Sequence, residues 1–301
     1  MNRIKLIFIS LALSMATLIC AVGAWPQQQS NQPPKGKAQS ETVRFVALGD
    51  TGTGGKEQFA IASQMVKYYD DKHYDTALLL GDNVYPSGDP AELPAKFEKP
   101  YAELLKRGVP FHAVLGNHDD NTSRGAGQIN YKPFNMGGRN YYSFVEGNSL
   151  VEFFALDSNR MDQTQLAWLE SALSASKARW KIVFYHHPIY SSGKKHGSNT
   201  KLRALLEPLF VRYGVAVTFS GHDHVYERIK PQQGIQHFVS GAGGQLRRGN
   251  LNKPSQLTAA GNDLVNSFMY VEVTPNNLSF WAIDAEGRIL DNGSLTPPSR
   301  R

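Results

Sequence analysis

Five short apolar runs in this chain each stop abruptly at side chains able to bind a metal. Leu48 is followed by Gly49-Asp50-Thr51-Gly52, and Leu80 by Gly81-Asp82-Asn83-Val84-Tyr85. Leu115 leads into Gly116-Asn117-His118-Asp119, Tyr185 into His186-His187-Pro188, and Ser220 into Gly221-His222-Asp223-His224. In α/β sheets, ligands bind in the crevice beyond the carboxyl ends of the strands. Strand ends converging there would gather two carboxylates, a phenol, an amide and several imidazoles, with glycine letting the backbone bend sharply at four of the five turns. Taken singly, each motif has an ordinary explanation. Asp50 suits a turn, Asn117 a helix cap, His118 a partner for a backbone carbonyl, and His222 and His224 the two faces of a strand end. The ordered series, every member behind an apolar strand, is what points to a metal site.

The surrounding pattern supplies the scaffold. Strand-like runs are expected at Val43–Leu48, Thr76–Leu80, Phe111–Leu115, Tyr141–Val145, Leu150–Leu156, Trp180–Tyr185 and Val215–Phe219. Between them, Phe59, Ala62, Val66 and Tyr69 form one helical stripe, and Leu166, Leu169 and Leu173 another. Leu202, Leu205, Leu209 and Tyr213 form a third stripe with a kink at Pro208, and Phe97–Arg107 is read as helical. Runs at Phe268–Val273, Leu278–Ile283 and Ile289–Leu290, separated by Pro275-Asn276-Asn277 and Ala285-Glu286-Gly287, read as an antiparallel meander. Alternating strands and helices followed by strands suggest one α/β domain with a mixed sheet or a pair of sheets.

The donor set exceeds what one ion needs. Carboxylate and phenolate oxygens suit a ferric ion; imidazole and amide suit Zn, Fe(II) or Mn. A bridging carboxylate would hold two such ions at the ~3.5–4 Å of two-metal hydrolytic sites. The Gly49–Gly55 stretch is not a phosphate-binding loop: its glycines have the wrong spacing, and Glu57 stands where a P-loop needs Ser or Thr. His73, His112 and His237 follow no pattern and are read as structural or surface residues.

The ordered motifs resemble the calcineurin-like metallophosphoesterases, and within them the purple acid phosphatases. The tyrosine three residues after the second aspartate, Tyr85 in GDNVY, marks the subfamily; Val183–His186 and the GHDHVYER segment are also similar to it. The resemblance spans roughly residues 43–283 and implies a mixed β-sandwich flanked by helices on both faces, a four-layer α/β/β/α fold. It implies that Asp50, Tyr85 and His224 hold Fe(III), that Asp82 bridges, and that Asn117, His186 and His222 hold a divalent Fe, Zn or Mn. His118 would face the phosphate as acid or hydrogen-bond donor, with His196 as a second substrate-side histidine; His187 is left as a supporting or exposed residue. A trivalent and a divalent ion bring five positive charges; ionised Asp50, Asp82 and Tyr85 leave two, and a bridging hydroxide one. That residue of charge suits a phosphate ester, attacked in line by metal-bound hydroxide with an acidic optimum. The expected enzyme is a metal-dependent acid phosphatase of the small single-domain, tartrate-resistant-like type. The rival readings are a phosphodiesterase or a nucleotide or phospholipid phosphoesterase with two divalent ions, and a non-enzymatic iron protein.

Composition sets the remaining bounds. A net charge of +6, from 32 basic and 26 acidic residues, is dispersed along the chain, so no nucleic-acid partner is read from it. Arg3 and Lys5, the apolar Leu6–Ile19 and the small residues Val22-Gly23-Ala24 read as a signal peptide over 1–24, giving a secreted or periplasmic protein. The competing readings are an uncleaved anchor and a lipoprotein at Cys20. After cleavage no cysteine and no stable membrane span would remain. Residues 25–41 (WPQQQSNQPPKGKAQSE) form a polar tether, 42–296 the catalytic domain and 297–301 a tail.

Overall fold

The computed structural model describes residues 42–252 and 255–298. The signal segment and the tether lie outside the described residues, as do residues 299–301 of the tail. In chain order the first half supplies β1 (Val43–Leu48), α1 (Lys56–Lys72), β2 (Thr76–Leu79), α2 (Ala102–Lys106), β3 (Phe111–Ala113), α3 (Ala126–Ile129), β4 (Tyr142–Glu146) and β5 (Val151–Ala155). There follow α4 (Gln163–Ala175), β6 (Trp180–Phe184), α5 (Thr200–Tyr213), β7 (Val217–Ser220), β8 (Tyr226–Ile229) and β9 (Gln236–Ser240). The chain closes with β10 (Thr258–Asn262), β11 (Ser267–Val273), β12 (Leu278–Asp284) and β13 (Ile289–Leu295).

These strands form two mixed sheets. One has the order β13-β12-β11-β1-β2-β3, with β1, β2 and β3 parallel and the C-terminal meander antiparallel. The other runs β10-β8-β9-β7-β6-β5-β4, with a parallel centre of β5, β6, β7 and β9 and antiparallel strands outside it. Side chains alternate across a strand, so each central strand feeds two cores. Phe153, Ile182 and Phe184 join the core between the sheets; their neighbours Phe154, Val183 and Tyr185 join a second core under α4 and α5. The sheets are locked face to face by Phe45 of β1. Its ring meets Phe153 at 5.1 Å and Phe219 at 5.6 Å, both edge to face. On the other side of the first sheet, Tyr68 of α1 packs against Phe268 and Tyr270 of β11, each at 5.7 Å. The result is the expected α/β/β/α order, with side-chain caps at the starts of α4 and α5. Asp162 accepts from the Gln165 N–H at 2.8 Å and Asn199 from the Leu202 N–H at 3.0 Å. No described helix is long and apolar enough to cross a membrane.

Several local expectations are corrected. α1 buries Ile61, Ala62 and Met65 while Phe59 is 40% exposed, so its inner face is rotated from the one expected. α5 buries Leu202, Leu206 and Phe210 and exposes Leu205, and Pro208 lies within its continuous span. Residues 97–107 are not one helix: a π-type turn (Pro94–Glu98) precedes the five-residue α2. β8, β9 and β10 had no counterpart in the sequence reading. Their sequences mix charged, Gln, His and Gly residues that carry no alternation signal.

His112 of β3 stacks on Phe144 with ring centroids 3.7 Å apart, and its Nδ1 is buried with no hydrogen-bond partner among the described residues. Burial pulls its pKa down to about 4. The unfolded chain therefore takes up a proton between pH 6.5 and 4 that the folded one refuses, so this contribution to stability is lost as pH falls through that window. Denaturant titrations of wild type and His112→Phe at pH 7 and pH 5 should show a smaller acid loss in the variant, by about 2 kcal/mol. Equal losses would contradict the assignment.

Candidate metal centre

The carboxyl ends of β1, β2 and β3 in one sheet and of β6 and β7 in the other meet at the same edge of the sandwich. Short backbone links hold the turns there: Asp50 N–H donates to the Gly81 carbonyl at 2.9 Å, and Gly221 N–H to the His186 carbonyl at 3.0 Å. The turns are tight enough that Asp50 (φ 57°), Asp82 (φ 53°) and His222 (φ 69°) sit in the left-handed region, a strain that collects at functional sites. Two glycines are required by close approach. A Cβ on Gly116 would fall onto Asp82 Oδ1, and one on Gly221 would stand 2.5 Å from Asp50 Oδ2.

Two clusters of donor atoms result. In the first, the Tyr85 hydroxyl lies 3.1 Å from Asp50 Oδ1, 2.9 Å from Asp82 Oδ2 and 3.2 Å from His224 Nε2; His224 Nε2 is 3.3 Å from Asp50 Oδ1. In the second, His186 Nε2 lies 3.2 Å from Asn117 Oδ1, 3.2 Å from His222 Nδ1 and 3.5 Å from Asp82 Oδ1. Asp82 thus offers one oxygen to each cluster. Its Oδ1 also accepts from the His118 N–H at 2.9 Å, and Asp50 Oδ2 from the His222 N–H at 2.8 Å. His186 Nδ1 donates to the Leu80 carbonyl at 2.8 Å, which leaves Nε2 with its lone pair toward the site.

The electrostatics of this arrangement call for cations. Asp50 and Asp82 are buried, at 0% and 1% exposure, with a phenol and imidazoles as their side-chain company. Burial, then the Asp50 and Asp82 charges, push the Tyr85 phenol far above its ordinary range; bound metal ions would reverse that direction. Burial and the surrounding imidazoles, His186 first, hold His222 neutral, the form that binds a metal. Oxygen-rich and nitrogen-rich donors segregated into two groups around a shared carboxylate fit a pair of ions.

The remaining residues surround this centre. His118 donates from Nδ1 to the Pro86 carbonyl at 2.6 Å and its ring lies 4.7 Å from that of Tyr85. His196 is exposed, its ring 4.1 Å from that of His222. Both line a cavity of about 230 Å³ together with Asp82, Asn117, His222 and His224. All nine residues singled out from the sequence are therefore in one place. His187, set aside there, is half-buried, 4.4 Å from the His222 ring, and joins His186 and His222 in a cluster of ligand geometry. Its Nδ1 is 2.9 Å from Ser158 Oγ, and burial followed by the His186 charge pushes its pKa down to about 3. His73, His112 and His237 lie elsewhere, as expected.

The carboxylates that brace the turns are not among the residues expected from the sequence. Asp119 is fully buried and accepts from the N–H groups of Asn83 (3.0 Å), Val84 (3.1 Å) and Gly116 (2.9 Å) and from Gln128 Nε2 (2.8 Å), tying the Asp82 and Asn117 turns together. Burial and the Asp82 charge raise its pKa to about 6. Asp223 accepts from Ser191 Oγ at 2.6 Å and the Gly197 N–H at 3.1 Å, which fixes the loop carrying His196. The acidic residues inside GNHD and GHDH were the available signal.

With this geometry in hand, comparison with known proteins is direct. The calcineurin-like phosphoesterase family model matches residues 43–226. The tartrate-resistant acid phosphatase type 5 of Mus musculus is 28% identical over 303 residues, covering 86% of this chain and 92% of the relative. Purple acid phosphatase 4 of Arabidopsis thaliana is 30% identical over 326 residues, covering 93% of each. Among solved structures, purple acid phosphatase PPD1 of yellow lupin (Lupinus luteus) superposes with a TM-score of 0.73 at 18% identity, over 86% of this chain and 54% of that one. The chain belongs to the calcineurin-like phosphoesterases. It is a metal-dependent phosphoric ester hydrolase, and the family implies a dinuclear centre.

Gly116→Ala displaces Asp82 Oδ1 without removing a donor. It should lower bound metal measured by elemental analysis and reduce phosphoesterase turnover by about 100-fold, the upper end of what misaligned ligands cost. Full metal content with wild-type turnover would contradict the geometry.

Proposed function

We propose that the chain is an exported acid phosphatase hydrolysing phosphate monoesters at a binuclear Fe(III)–M(II) centre, M being Fe, Zn or Mn. The observation that carries this is the Tyr85 hydroxyl, 2.9 Å from Asp82, 3.1 Å from Asp50 and 3.2 Å from His224. A phenolate among hard oxygen donors favours a ferric ion. Asp50, Tyr85 and His224 would hold it; Asn117, His186 and His222 would hold the divalent ion, with Asp82 between them. When bound, the pair polarises phosphoryl oxygens and makes a water acidic enough to attack below neutral pH. His118 has its Nδ1 committed to the Pro86 carbonyl, so its exchangeable proton sits on Nε2, from which it can pass to the leaving oxygen. His196 supplies a hydrogen bond to the phosphoryl group from the other wall of the cavity.

The similarity to relatives named as acid phosphatases supports the monoester reading over a diesterase. Export rests on the Arg3, Lys5 and Leu6–Ile19 pattern ending at Val22–Ala24. A small phosphate ester is the proposed substrate, with no nucleic-acid partner. Hydrolysis of p-nitrophenyl phosphate and of its bis ester at pH 5 separates the two chemistries. The monoester should be favoured by about 100-fold in kcat/KM, or ~2.7 kcal/mol of transition-state discrimination. Preference for the bis ester would replace this reading with a phosphodiesterase.

A further inference from the structure

Two cations at the mouth of the metal-site cavity have no role in the chemistry above. Lys195 and Arg247 both line it, and Asp82 is the one carboxylate among the lining residues. Arg247 is half-buried, and its Nη1 is fully covered with no hydrogen-bond partner among the described residues. A guanidinium nitrogen buried without a partner costs free energy that an arriving anion would recover.

Its position is built in. The Arg247 N–H donates to the carbonyl of His224 at 3.0 Å, which ties it to the donor cluster itself. The loop it stands on is pinned to the loop of Lys195 and His196 through Asn250. Asn250 Oδ1 accepts from the Lys195 N–H at 3.0 Å, its carbonyl accepts from the Lys194 N–H at 2.7 Å, and its Nδ2 reaches Asp223 Oδ1 at 3.3 Å. Gly193 and Leu251 complete a short antiparallel bridge between the two loops.

Charge decides what this wall is for. The metal pair and its anionic ligands already leave about the charge that one phosphate neutralises. Two further cations on these pinned loops beside it call for a second negative group on the same substrate. We propose that Lys195 and Arg247 form a second anion subsite, selecting phosphate monoesters whose leaving group itself carries a carboxylate or a further phosphate. This rests on the phosphatase reading and narrows its substrate class.

The test uses metal-loaded protein and three aryl phosphates differing only in the para substituent: carbamoyl, carboxylate and phosphonate. Wild type should favour the anionic leaving groups by about 10-fold or more in kcat/KM, the range of a charge-assisted contact, and the better of the two identifies the second anion. Arg247→Gln should bring the preference to within about two-fold of unity, Lys195→Gln should reduce it, and Arg247→Lys should restore part of it. Wild type treating all three alike would overturn the proposal. So would an equal loss on all three in Arg247→Gln, which would place the guanidinium on the transferred phosphate. Calorimetric binding of the inert 4-carboxyphenyl and 4-carbamoylphenyl phosphonates gives the same comparison without turnover. If wild type hydrolyses none of the esters, the phosphatase reading fails, while the binding ratio still decides the subsite.

Discussion

The carboxylate of Asp82 is the constraint on which the site depends. It is buried, it is close to a second buried carboxylate, Asp50, and its two oxygens face two different groups of donors. Burying an anion costs several kcal/mol unless opposite charge and hydrogen bonds compensate. The His118 N–H supplies part of the compensation at Asp82 and the His222 N–H part of it at Asp50, while the His222 imidazole is held toward its neutral, metal-binding form. Bound metal ions would supply the positive charge that two buried carboxylates and a phenol call for. That requirement explains why the phenol, amide and imidazoles point inward toward Asp82.

The sandwich makes such crowding possible. Parallel strands from two sheets end at one edge, so short turns from distant parts of the sequence reach the same few ångströms. The cost appears locally, as left-handed backbone at Asp50, Asp82 and His222 and as glycines whose Cβ would collide with a carboxylate. The bracing is polar and buried: Asp119 under the Asp82 and Asn117 turns, Asp223 under the His196 loop. The metal centre, the proton transfer proposed for His118 and the anion selection proposed for Arg247 would therefore share one frame, which is what pre-organised hydrolytic sites require.

Much of this was legible in the sequence because buried parallel strands are written as uninterrupted apolar runs, and the site residues sit directly behind them. Asp50, Asp82, His186 and His222 could be placed from that pattern alone. The faces of α1 and α5 were misjudged because both stripes admit neighbouring registers; packing against β11 and against the second sheet chose Ile61 and Leu206 over Phe59 and Leu205. β8, β9 and β10 were invisible since Glu227, Gln236, His237 and Gly261 break any alternation, and the buried Glu227 is satisfied by a partner distant in the chain, the Ser192 N–H. Asp119, Asp223 and Arg247 carry no local signal for a similar reason: their roles depend on partners distant in the chain, such as Asn83 for Asp119 at |i−j| = 36 and Ser191 for Asp223 at |i−j| = 32.

The proposed centre holds two cations, one of them ferric, in the two donor groups that Asp82 joins. Elemental analysis of the purified protein, read with its visible spectrum, tests it most directly. Two metal equivalents per chain, one of them iron, are expected, with a charge-transfer band from the Tyr85 phenolate. A single equivalent after reconstitution, or two divalent ions with no visible band, would contradict it.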